Sequence, residues 1–163
     1  MLKSIPTFLK SQMRKKYLSK NPVQTKKLGR LLVKEILKTK PEKGLIIGLE
    51  GALGGGKTTF LQGFAKGLGI KEKVLSPTFV ILRKFKIKNL RFKNLYHVDC
   101  YRIQKPKEIL ELGFKKIVSK PQNIIVIEWS DKIKKILPKS SLILKFHFVD
   151  KNSRKICLAK RKN

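Results

Sequence analysis

The sequence predicts an α/β fold in which a mostly parallel sheet lies between two layers of helices and a β-hairpin closes the C-terminal end. Three observations predict it. Short apolar runs, "LIIGL" at residues 45–49 and "NIIVIEW" at residues 123–129, lack polar alternation and read as strands covered on both faces. Segments with helical spacing alternate with such strands early in the chain, the pattern of a layered α/β domain. Near the end, "LILKFHF" and "RKICLAK" are joined by Asp150, Lys151 and Asn152, turn formers at a hairpin tip.

At 163 residues the chain is about one domain long. Residues 1–20 read as a basic, loosely ordered extension and residues 21–163 as a single domain. Residues 1–34 hold no acidic side chain. An organelle transit peptide shares that charge, but lysine predominates here where such peptides prefer arginine.

The elements follow in order. Asn21 as N-cap, Pro22 at the first helical position and Gln24 completing a capping box start a helix over 22–37. Leu28, Leu31, Leu32 and Ile36 give it one apolar face. The strand at 45–49 leads into a glycine-rich stretch. A second helix over 58–68 then carries Phe60, Leu61, Phe64, Ala65 and Leu68 on one stripe, with Gly69 as its stop. Residues 79–87 and 95–100 read as strands, 107–114 as a short helix and 123–129 as a buried strand.

The stretch "EGALGGGKTTF" carries the chemistry. Gly51, Gly56, Lys57 and Thr58 satisfy G-x-x-x-x-G-K-[ST], the Walker A pattern. Glycines let backbone N–H groups curl around phosphate oxygens, Lys57 reaches the β and γ phosphates, and the Thr58 hydroxyl meets Mg²⁺. The helix beginning beneath the loop adds its positive end. A buried strand enters and an amphipathic helix leaves, so the stretch Gly51, Leu53, Gly54, Gly55, Gly56, Lys57, Thr58 and Thr59 reads as a nucleoside triphosphate cradle. The fold class is then that of a P-loop NTPase three-layer sandwich.

Only ten acids stand in the chain, and two of them end apolar strands: Asp99 after "NLYHV" and Glu128 after "NIIVI". Ligands of open α/β sheets gather at the carboxyl ends of the strands, so both acids are expected to face the loop. Glu128 is the first choice for holding Mg²⁺, directly or through water. Asp99 is left to orient or deprotonate the attacking water, or to reach the metal through water. The bland alternative is a solvated acid at a strand end. His97 reads either as a phosphate or water contact or as a residue fixing its strand. Trp129 reads as packing or partner contact. Arg102 reads as an arginine finger in cis or as the partner of a carboxylate.

Four motifs in order, "GALGGGKTTF", "SPTF" at 76–79, "YHVDCYR" at 96–102 and "IEW" at 127–129, resemble those of the small P-loop ATPases of the TsaE (YjeE) family. "EILELGF" at 108–114 is similar to that family's Glu-Leu-x-x-x-Gly helix, and the resemblance covers about residues 22–157. It implies an ATPase required for making the threonylcarbamoyladenosine of tRNA, with TsaD and TsaB as partners and tRNA nearby. It implies that Thr58 and Glu128 hold Mg²⁺ and that Asp99 serves hydrolysis. Ser76, Pro77, Thr78 and Phe79 would form a switch sensing the γ-phosphate, and Thr25 and Arg154 would flank the nucleotide. Two departures stand out: Ala52 where the family usually carries an acid, and Ser130 in place of a frequent proline. With no assured arginine finger, hydrolysis is expected to be slow alone and faster with partners.

The formal charge of +30 suggests nucleic acid, but lysine outnumbers arginine 33 to 7, and solvated lysines on every face give the same total. A basic nucleic-acid-binding protein with an incidental loop remains the weakest alternative. A small nucleoside or nucleotide kinase is the runner-up on the same loop. A GTPase is disfavoured because no N-K-x-D string is present. Two cysteines are too few for a disulfide framework and fit a reducing, cytoplasmic setting, and no apolar run is long enough to span a membrane.

Overall fold

A computed structural model of the chain describes residues 16–76 and 80–161. Among the described residues seven strands form one sheet: β1 (Lys16–Ser19), β2 (Leu45–Glu50), β3 (Leu82–Lys86), β4 (Asn94–Asp99), β5 (Asn123–Glu128), β6 (Leu142–Phe148) and β7 (Arg154–Lys160). Their order across the sheet is β1-β7-β6-β2-β5-β4-β3. The four central strands, β6, β2, β5 and β4, run parallel, while β3 and the β7–β1 pair are antiparallel additions at the two edges. This is the three-layer α/β sandwich with a C-terminal hairpin that the sequence predicts.

Helix α1 (Pro22–Ile36) starts as its residues dictate. The Asn21 side chain accepts a hydrogen bond from the Gln24 N–H at 2.9 Å, and Pro22 occupies the first turn, where its missing donor costs nothing. The capping box is displaced by one residue, because Gln24 Oε1 accepts from the Lys20 N–H rather than from that of Asn21. The buried face is also rotated from the leucine stripe. Leu32 and Ile36 are buried, whereas Leu31 is 46% exposed and Thr25, Gly29 and Val33 complete the face.

The rotation has a physical cause in helix α2 (Lys57–Gly67), which crosses α1 at backbone contact. A Cβ on Gly63 would stand 2.1 Å from the Lys26 carbonyl oxygen, and one on Gly29 would stand 2.5 Å from that of Phe60. Two glycines thus set the crossing, and the larger side chains turn aside. Phe60, Leu61, Phe64 and Ala65 bury against Ile47, Leu49, Ile124 and Val126 of the sheet, giving one core layer.

Ile46, Val98, Ile125, Ile127 and Ile143 point to the other face. There they meet the short helices α3 (Pro106–Glu111) and α4 (Phe114–Val118) and the 3₁₀ turns of Ser130–Ile136. The single helix expected over 107–114 is therefore two, split where Gly113 takes φ +79°. The expected strand 79–87 is shorter, Leu82–Lys86, and Phe79 lies outside the described residues.

The extension needs correction. Residues 16–19 were expected in a loosely ordered tail, but they form β1, paired antiparallel to β7 from Lys16↔Cys157 to Ser19↔Arg154. An unpaired β7 edge would present open donors and acceptors, and β1 satisfies them. Residues 1–15 lie outside the described residues.

Candidate nucleotide site

Strand β2 runs out at Glu50 into the glycine loop, and α2 begins at Lys57. Gly51 has φ +145°, and a Cβ there would stand 2.5 Å from the Phe146 carbonyl oxygen, so the turn off the strand admits glycine alone. Lys57 Nζ arches back to donate to the Gly51 and Ala52 carbonyls at 2.7 and 2.9 Å, and lies 4.1 Å from the Trp129 ring centroid. Burial pulls its ammonium below the ordinary range, against Glu128, Asp99 and Asp131, whose negative charges favour the protonated form.

The sheet register gathers the acids. In β4 the odd positions Leu95, His97 and Asp99, and in β5 the even positions Ile124, Val126 and Glu128, face the α2 layer, because side chains alternate along a strand. Asp99 pairs with Glu128 across the two strands, beside the end of β2. Glu128 is 2% exposed, and its two oxygens accept from the Thr58 hydroxyl at 3.2 and 3.1 Å. His97 Nε2 lies 3.0 Å from Glu128 Oε1. Asp99 Oδ2 accepts from the Ser76 hydroxyl at 2.8 Å, and Oδ1 from the Tyr101 N–H at 2.9 Å.

Thr25 and Arg154 approach from the opposite side. A Cβ at Gly56 would lie 3.7 Å from Arg154 Cγ and 3.9 Å from Thr25 Cγ2. Thr25 shares a 2.7 Å hydrogen bond with Ser19 of β1. The Arg154 guanidinium donates to the Gly54 carbonyl at 3.2 and 3.0 Å and to the Asp150 carbonyl at 2.7 Å, and stacks 4.7 Å from the Phe148 ring centroid. It thereby ties the hairpin tip to the loop.

A cavity of about 750 Å³ opens over these groups. Leu53 through Thr59, Thr25, Arg154, Ser76, Asp99 and Glu128 line it, whereas Gly51, expected in the cradle, is not among the lining residues. Pro77, Thr78 and Phe79 lie outside the described residues. Arg102, expected either as a finger or as the partner of a carboxylate, and Trp129, expected in packing or partner contact, both line the cavity, as do Tyr101, Glu108, Lys151 and Asn152, for which the sequence suggested no site role. Tyr101 follows Asp99 by two residues and was open to inference; the hairpin tip reaches the cavity only through long-range pairing.

The donor set fits Mg²⁺. A hydroxyl and a carboxylate are the hard oxygen ligands this ion takes. Their separation of 3.1 to 3.2 Å is close to the roughly 2.9 Å between neighbouring ligands of an octahedron with bonds of about 2.05 Å. Among the described residues no group of three or more His, Cys, Asp or Glu side chains is arranged for a metal. These residues would therefore supply only part of a coordination shell, the arrangement expected where phosphate oxygens and water complete it.

A family model described as threonylcarbamoyl adenosine biosynthesis protein TsaE matches residues 19–156. The chain belongs to the TsaE family. Curated TsaE relatives include the tRNA threonylcarbamoyladenosine biosynthesis protein TsaE of Rickettsia felis, 38% identical over 135 residues, covering 82% of this chain and 73% of that one. The protein of the same name from Bacillus subtilis is 39% identical over 127 residues, covering 78% and 73%. The crystal structure of Bacillus subtilis YdiB superposes with a TM-score of 0.68 at 31% identity, covering 91% of this chain and 86% of that one. The TsaE match runs from the last residue of β1 into β7 and so takes in every residue lining the cavity. No helix among the described residues is long and apolar enough to cross a membrane.

Proposed function

We propose that the protein binds ATP with Mg²⁺ in this cavity, hydrolyses it, and serves tRNA threonylcarbamoyladenosine biosynthesis by acting on a partner complex of TsaD and TsaB type, with tRNA close by. The observation that carries the reading is the Thr58 hydroxyl at the foot of the glycine loop, within 3.1 Å of a buried carboxylate on the neighbouring strand end. Burying a carboxylate costs several kcal/mol on the order of magnitude unless it is paired or holds a cation, and with only the Thr58 hydroxyl and the His97 ring as its hydrogen-bond partners among the described residues Glu128 is suited to receive one.

The residues divide the work. Lys57 would exchange two neutral carbonyl acceptors for anionic phosphate oxygens, so that donor and acceptor are both charged. The loop N–H groups and the start of α2 would cradle the phosphates. Thr58 and Glu128 would hold Mg²⁺, which when bound neutralises charge on the β and γ phosphates. Asp99, fixed by Tyr101 N–H and Ser76, is positioned to orient the attacking water. Its bond to Ser76 connects the site to the segment beginning there, which supports reading that segment as a switch. Arg154 and Thr25 close the far wall. The two cysteines are free, with Cys100 buried, which supports a reducing, cytoplasmic setting.

Thermal unfolding with and without MgATP tests the binding. At about 100 times Kd, ligand stabilises by about 2.7 kcal/mol, which raises Tm by roughly 5 to 10 °C in a domain of this size. Lys57→Ala is expected to remove that shift. No shift in the unaltered protein overturns the nucleotide reading. Phosphate released to water supports the ATPase, while phosphate transferred to an added nucleoside replaces it with the kinase. Co-purification with TsaD and TsaB, with and without ATP, tests the partners, and no association in either state removes them.

A further inference from the structure

His97 lies wholly inside the protein, and its environment assigns the ring a task. Nε2 stands 3.0 Å from Glu128 Oε1, and Nδ1 is buried with no hydrogen-bond partner among the described residues. A carboxylate only accepts, so Nε2 carries the hydrogen of this bond. The ring spends its one satisfied polar atom on Glu128 and leaves the other unpaired. A histidine kept only for packing is replaceable by an apolar side chain without leaving a buried polar atom orphaned.

The register explains why, among the described residues, it is His97 that reaches Glu128 from below. His97 is level with Val126, one step down the same face from Glu128, while Asp99 is level with Glu128 itself and is engaged by Ser76 and Tyr101. The carboxylate is thus gripped from two directions: the Thr58 hydroxyl from the loop, and the imidazole from β4. A cation entering between Thr58 and Glu128 would take over the lone pairs that now receive the Thr58 proton. The His97 bond is the only one of the two that can persist.

We propose that His97 is a positioning residue that fixes the Glu128 carboxylate for Mg²⁺, and that without it the protein keeps its affinity for ATP and loses affinity for the metal. The proposal rests on the Mg²⁺ and ATP reading above. Groups that hold a metal-ligating side chain in place typically govern metal affinity by about 10- to 100-fold.

The test separates metal from nucleotide. Binding of a fluorescent ATP analogue is measured without divalent ion, and Mg²⁺ is then titrated into the nucleotide complex. His97→Leu keeps the volume and removes the donor; His97→Gln places an amide N–H near the position of Nε2. The expected result is an unchanged metal-free nucleotide Kd in both variants, with the Mg²⁺ midpoint raised about tenfold or more in His97→Leu and largely restored in His97→Gln. An unchanged midpoint in His97→Leu overturns the proposal. So does equal loss in both variants, or a parallel loss of metal-free binding, because each marks a general packing role. If the unaltered protein itself binds the analogue without any response to Mg²⁺, the metal reading fails first, and that outcome is distinguished by the parent titration alone.

Discussion

Replacing Gly63 by alanine puts a methyl carbon where the backbone of Lys26 already stands. The new Cβ would lie 2.1, 2.5 and 2.6 Å from the Lys26 O, Cα and C atoms, all backbone and none able to rotate away. Relief requires α1 and α2 to separate by roughly 1 Å, which forfeits a quarter to a half of the dispersion energy across their contact. Overpacking of this kind costs about 1 to 3 kcal/mol, and three rigid clashes place Gly63 at or above the upper end. Alanine recovers about 1 kcal/mol of helix propensity. The net loss is about 2 to 3 kcal/mol, or a fall in Tm of roughly 4 to 12 °C. Urea unfolding followed by circular dichroism checks it, with an unchanged slope showing that the native state is weakened and not the denatured state compacted. Gly29→Ala strikes the same crossing, so the double variant should lose less than the two losses added, because helices already parted accept the second methyl more readily. A Gly63→Ala protein as stable as its parent, or more stable, as for an ordinary helical glycine, would refute the close crossing.

Other outcomes follow from the site. Glu128→Gln should retain nucleotide, lose its dependence on Mg²⁺ and lose hydrolysis, read by phosphate release and Mg²⁺ titration; normal turnover would remove Glu128 from the metal. Asp99→Asn should keep MgATP binding while turnover falls by a factor of about 100 or more, the range of a lost general base. Trp129 is the one tryptophan of the sequence and its ring lies 4.1 Å from Lys57 Nζ, so ATP should change its fluorescence, and Lys57→Ala should abolish that response. Burial and the neighbouring Asp99 push the Cys100 thiol up from 9.0 to about 12. Its folded pKa is the raised one, so this contribution to stability is complete below about pH 9 and is lost as pH rises towards 12, a trend that Cys100→Ala should flatten in urea midpoints measured from pH 8 to 11.

Local patterns were the legible part of the fold. The entry of α1 is written in Asn21 and Pro22, and the β2–loop–α2 unit in an apolar run, the four loop glycines and a stripe of aromatic and aliphatic residues. Asp99 and Glu128 could be brought to the loop because strand ends in such sheets share one edge. What stayed hidden depends on distant partners. The four residues of β1 have no strand pattern of their own and gain their form from β7. The rotation of α1 follows from Gly63, a residue of another helix. Trp129 takes φ +59°, which an indole side chain does not advertise, and this turns its ring over Lys57. The return of Lys57 to the loop carbonyls is likewise a property of the assembled site and not of the motif.

The strand order also dictates when the site can exist. Strand β2, which ends in the phosphate loop, has β5 and β6 as its neighbours, and both are encoded far downstream. A ribosome making this chain completes the loop at Thr58 but does not finish β6 until roughly 90 residues later. At about 5 to 20 residues per second that leaves a loop without its frame for roughly 5 to 18 s. During that interval β2 is an apolar strand with two open sides, so the nascent chain is at its most vulnerable to aggregation before any nucleotide can assist it.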